Sequence, residues 1–116
     1  MGERFTAHVM RPLPEGAALG SAFTIVQFSS AFCQPFRATM RIIRRVVEDM
    51  VPDVGGIEVI DIDADDHLEL TRMWEVESTP TVVFLDRRGE EVRRATGQPR
   101  TVDVVAAVAQ VLDGDS

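Results

Sequence analysis

Phe28-Ser29-Ser30-Ala31-Phe32-Cys33-Gln34-Pro35-Phe36-Arg37 is the stretch on which the fold turns. It follows Ala22-Phe23-Thr24-Ile25-Val26-Gln27-Phe28, a short β-branched and aromatic run that reads as a buried strand. It leads into a segment, Pro35 to Met50, in which Phe36, Met40, Ile43, Val47 and Met50 recur at steps of four and three and predict one apolar helical face. A cysteine just ahead of such a helix meets unpaired backbone N–H groups and the positive end of the helix dipole. Both favour the thiolate and lower a thiol pKa from its usual ~8.5. Phe32 and Phe36 pull the other way, because apolar burial raises it. Cys33 is therefore read two ways: as a nucleophile, or as a small buried hydrophobe.

The rest of the chain alternates the same two periods. Pro52 and Gly55-Gly56 close the first helix. Ile57-Glu58-Val59-Ile60-Asp61-Ile62-Asp63 reads as a second strand, and Asp65 and Asp66 as caps of a short helix through Leu68, Leu70 and Trp74. Thr81-Val82-Val83-Phe84-Leu85 is a third strand. Arg87-Arg88-Gly89-Glu90 turns into Glu91-Val92-Arg93-Arg94-Ala95-Thr96, the second arm of a hairpin. Thr101 is expected to cap a last helix with an apolar stripe of Val102, Val105, Val108 and Leu112. This order, βαβα then ββα, predicts an α/β fold with a mixed sheet of four or five strands and helices on both faces. The expected organisation is an N-terminal segment over residues 1–21, where Phe5 to Met10 could add an edge strand, one domain over 22–112, and a frayed tail from 113 to 116.

Composition narrows the function. The chain has 116 residues, 45% hydrophobic and 27% charged, with a formal net charge of −7. That length suits one domain with a core of its own. The negative charge argues against a nucleic-acid partner, which needs a basic face. No apolar run approaches the ~20 residues that span a bilayer, and the first residues lack the basic-then-apolar pattern of a leader. The single cysteine excludes an internal disulfide; a cytoplasmic location follows as the expectation. His8 and His67 are not spaced as a ligand pair, and Asp61, Asp63, Asp65 and Asp66 lack the turn glycine and terminal glutamate of a calcium loop. No metal or bound cofactor is expected.

With these residues in view, the chain resembles the thioredoxin family from about Ala22 to Leu112. Phe32-Cys33-Gln34-Pro35 resembles the aromatic-Cys-x-Pro start of the family's active-site helix. Asp61-Ile62-Asp63 looks like the end of its central strand, Thr79-Pro80-Thr81 like its cis-proline segment, and Gly97 like the glycine beside the site. The departures form a set. Phe36 stands where the second, resolving thiol belongs, giving Cys-x-Pro-Phe. Gln27 replaces the buried acid, Val59 is the expected counterpart of its lysine partner, and Ser29 replaces a tryptophan ahead of the motif.

The resemblance implies Cys33 as the nucleophile, with Phe32, Gln34, Pro35, Thr79, Pro80 and Gly97 framing a substrate groove. An extended peptide would pair with the Thr79 backbone as an added strand. With no second thiol, a mixed disulfide at Cys33 must be released by a small thiol such as glutathione or mycothiol, or by the partner. The implied protein is a monothiol exchanger, monomeric or linked as a dimer through Cys33. The alternative is a redox-inactive module that binds a client protein through the same groove.

Overall fold

The computed structural model describes residues 11–30, 35–50, 56–97 and 99–114. The strand expected over Phe5 to Met10, the helix end at Pro52 and Gly55, and residues 115–116 of the tail lie outside them.

The first strand, β1 (Phe23–Ser29), is buried at every position. Helix α1 (Pro35–Met50) carries the chain over to β2 (Ile57–Asp63), which lies parallel to β1 in the register Phe23↔Ile57 through Ser29↔Asp63. A parallel pair requires such a crossover. The short helix α2 (Leu68–Met73) precedes β3 (Thr81–Leu85), antiparallel to β1. Its hairpin partner is β4 (Glu91–Thr96), and α3 (Thr101–Gly114) follows. The strand order is β2-β1-β3-β4, the mixed four-stranded α/β sheet expected.

The two faces are covered differently. On one, Phe23, Ile25, Val82 and Phe84 pack against Ile43 and Val46 of α1 and Val104, Ala107, Val108 and Val111 of α3. On the other, Val26, Phe28, Ile60, Ile62, Val83 and Leu85 meet Trp74, with Leu13, Ala17, Leu19, Leu70 and Val76 around it. Much of this second cover is irregular chain. Residues 11–20 form a strap tied down by the Trp74 indole N–H donating to Pro12 O at 2.8 Å and by the Arg11 guanidinium 5.5 Å from the Trp74 ring centre. Arg11 also pairs with Glu91 at 2.7 Å and Glu75 at 3.2 Å. Gly20 ends the strap where only a glycine fits, since a Cβ there would lie 2.3 Å from Gly56 O and 2.4 Å from Phe23 O.

In α1 the expected Ile43 and Val47 pack on the core, joined by buried Val46 and half-buried Ile42, while the side chains of Phe36 and Met50 lie outside the described residues. Two local expectations are corrected. In α3 the buried stripe is Val104, Ala107, Val108 and Val111, while Val102 and Val105 are 62% and 38% exposed. Nine of the fourteen residues of that helix are Val, Ala or Leu, so two registers fit a 3.6 period, and the one presenting the small Ala107 to the core prevails. The caps also differ. Arg100, not Thr101, closes the start of α3: its C=O accepts the Asp103 and Val104 N–H groups, and Asp103 Oδ2 accepts the Arg100 N–H at 3.1 Å, half of a capping box. Ahead of α2, Asp63 Oδ1 accepts the Asp65 N–H at 2.9 Å. His67 holds the cap position without a side-chain capping bond, its ring instead meeting Asp63 O at 3.1 Å, and Asp65 and Asp66 belong to a turn.

Candidate functional site

One end of the sheet gathers the residues of interest. Parallel β1 and β2 both end there, at the paired Ser29 and Asp63. Antiparallel β3 begins there and β4 finishes there, Thr81 facing both Phe28 and Thr96. Helix α1 starts at Pro35; proline suits a first helical turn, where its missing N–H would be unpaired anyway. The crevice outside the carboxyl ends of parallel strands is where open α/β sheets bind ligands.

Backbone bonds lock this end. The Ala64 N–H donates to Ser29 O at 2.7 Å, and the Gly97 N–H to Pro80 O at 2.8 Å. The Thr81 hydroxyl donates to Ser78 O at 2.7 Å. The Thr79–Pro80 peptide bond is cis; Pro80 is buried and Thr79 half-buried. Gly97 has φ of 86° with open space where a Cβ would stand, so backbone conformation, not crowding, favours glycine. Thr79, Pro80 and Gly97 thus meet at the end where α1 begins at Pro35. Phe32, Cys33 and Gln34 belong to the connection from Ser30 to Pro35 and lie outside the described residues. Among the described residues, no cluster of His, Cys, Asp or Glu could hold a metal ion.

The polar residues inside this end are unusual. Thr24, Gln27, Ser29 and Thr81 are the buried polar side chains of the described residues. Thr24 accepts the Gly20 N–H at 2.8 Å, and Ser29 donates to Asp61 Oδ1 at 3.4 Å. Gln27, fully buried, has no partner for its amide nitrogen or oxygen. Its neighbour across the ladder is Asp61, with Val59 two residues earlier on β2 and opposite Ile25. Asp61 is an exposed residue, yet partial burial of its carboxyl pushes its pKa up; the Ser29 bond opposes this and the Asp63 charge adds to it. Sequence reasoning put Asp61 beside Asp63 and missed that it faces Gln27. No signal in the sequence gives that register, because β1 reads as ending at Phe28, one residue short of Ser29.

A thioredoxin-like domain profile matches residues 18–112. The chain belongs to the thioredoxin-like family. Thioredoxin H4-1 of Oryza sativa is 32% identical over 87 residues, covering 73% of this chain and 63% of its own. The chain spans 49–63% of the length of the rice thioredoxins it matches. Among solved structures, chloroplastic thioredoxin z superposes with a TM-score of 0.66 at 24% identity, covering 81% of each chain. Thioredoxin 1 of Thermosipho africanus gives 0.64 at 20%, covering 79% of this chain and 97% of that one. In this thioredoxin-like fold no described helix is long and apolar enough to cross a membrane.

Proposed function

We propose that this thioredoxin-like protein is a monothiol exchanger acting through Cys33. The observation that supports the reading is a lone cysteine whose sequence position falls between β1 and the proline-headed helix α1, in a fold whose Thr79–Pro80 peptide is cis and whose Pro80 is bonded to Gly97. The Cys33 thiolate attacks one sulfur of a client disulfide. A mixed disulfide forms, and the client's other sulfur leaves as a thiolate. A small thiol such as glutathione or mycothiol, once deprotonated, then attacks the client sulfur of that bond and returns Cys33 as thiolate. The single cysteine of the sequence favours this monothiol route over dithiol turnover.

Extended client peptides would lie against the Thr79 backbone, framed by Phe32, Gln34, Pro35 and Gly97, as an added strand. A reducing, cytoplasmic setting suits this chemistry, with the protein monomeric or linked through Cys33 as a dimer. A second reading, partner binding without exchange, draws on Gln27, whose uncharged amide takes the place of a proton-transferring acid. The deciding experiment is incubation with glutathione disulfide, followed by intact mass. Exchange predicts one glutathione adduct at Cys33, none with Cys33→Ser, and release by reduced glutathione. Absence of the adduct from the native protein would leave the binding reading.

A further inference from the structure

We propose that a groove between the N-terminal strap and α2 docks a partner protein through a short segment that sets large apolar side chains beside Lys or Arg. The groove encloses about 560 Å³, a volume in the range of ligand-binding clefts. Pro12, Leu13 and Pro14 line it from the strap, and Leu68, Leu70 and Met73 from α2. None of Thr79, Pro80 and Gly97 takes part, and the inference does not rest on Cys33.

The groove is held in shape before any partner arrives. Leu13 and Leu70 pack on the cluster around Trp74. Trp74 closes α2, and its indole N–H ties that end to Pro12 O at 2.8 Å. The Arg11 pairs with Glu91 and Glu75 fix the start of the strap. A preformed groove spares the ordering cost that binding otherwise meets. Its backbone is largely spoken for: Pro14 O accepts the Ala17 N–H at 3.0 Å and Leu70 O the Trp74 N–H at 3.1 Å, while prolines have no N–H to give. An occupant must therefore bind through side chains.

Exposure and charge say which side chains. Among the described residues four large apolar side chains are exposed, and two of them, Leu68 at 62% and Met73 at 54%, lie in this groove. An exposed methionine offers an adaptable apolar contact. Asp66 and Glu69 line the groove too, and no lysine or arginine does. Their carboxylates have no ion-pair partner among the described residues. Arg72, the basic residue of α2, is exposed and stays out of the lining. A segment of apolar and cationic side chains complements both features. A second copy of this chain does so poorly, because two molecules of net charge −7 repel.

The test is a titration of the isotope-labelled full chain with the peptide Lys-Leu-Leu-Lys-Leu, read by amide chemical shifts. The peptides Glu-Leu-Leu-Glu-Leu and Lys-Ser-Ser-Lys-Ser are the charge and apolar controls. Saturable shifts should appear at Leu13 and from His67 to Met73 with the Lys-Leu peptide and with neither control. Leu68→Ser and Met73→Ser should each weaken binding about tenfold, and Glu69→Lys several-fold, the last effect shrinking in high salt. Val102→Ser, at an equally exposed position on α3, and Glu58→Lys, exposed on β2, should bind as wild type does. Equal shifts with the Glu-Leu peptide, shifts centred elsewhere, or none at peptide excess overturn the proposal. Shifts at the same amides that grow with protein concentration alone also overturn it, since the occupant is then a second copy.

Discussion

At the hairpin end of the sheet, one Asp86 carboxyl oxygen takes the N–H groups of Arg88 and Glu90 at 2.9 and 3.0 Å. The backbone closes around it through Gly89 N to Asp86 O and Asp86 N to Glu90 O, both 3.0 Å, with Gly89 at φ 89°. Every one of these groups serves the turn. At the opposite end, β1 buries Gln27 without a partner and β2 holds Asp61 in a setting that raises its pKa. One sheet thus has an end where local chemistry and fold agree and an end where they conflict. Such conflict is expected at a working site, where stability is given up for chemistry.

The contrast can be broken most strongly at Gln27. Replacement by Leu removes two orphaned polar atoms and should stabilise the protein by about 1–3 kcal/mol. That would appear as a higher urea midpoint at unchanged slope; a loss of stability would mean the amide is satisfied in solution. At the other end the sign reverses. Asp86→Ala removes two charge-assisted bonds to backbone N–H groups and should cost roughly 1–2 kcal/mol on the same urea curve.

The two shifted carboxylates sharpen the comparison through pH. Glu91 would have a raised pKa from burial alone, but its hydrogen bonds to Arg94 and Arg11 and their charges hold it lowered. Its contribution is present above about 4.5, the unfolded value, and is lost as pH falls through the folded one. Glu91→Gln should therefore destabilise by up to ~1 kcal/mol near neutrality and little at low pH. Asp61 behaves oppositely. Its raised pKa means that stability falls as pH rises from the unfolded value through the folded one. Asp61→Asn should raise the melting temperature slightly at neutral pH and leave it unchanged below pH ~3, where the native carboxyl is already neutral. Melting curves across that range check both signs.

Strand positions were legible because Val, Ile and Phe cluster between turn residues: Thr81–Leu85 and Glu91–Thr96 have the bounds read from sequence. Thr79, Pro80 and Gly97 were legible as a motif, and the sheet brings them together. Which face a helix buries was harder to read. In α3, Val102 and Val105 are as apolar as Val104 and Val108, and only packing against α1 separates them. The pairing of Gln27 with Asp61 was hidden because register belongs to two strands at once, and single-strand alternation cannot supply it. The strap gave little signal either, since residues 11–20 have no period and their role depends on Trp74.

That tryptophan is the only one in the chain. Its indole N–H rests on Pro12 O, the Arg11 cation lies over its ring, and Phe28 packs 5.8 Å away, centre to centre. The molecule therefore carries a built-in optical reporter of its own N-terminal strap. Selective 295 nm excitation would read strap detachment from a single emitter, with no label to attach and no thiol chemistry to disturb.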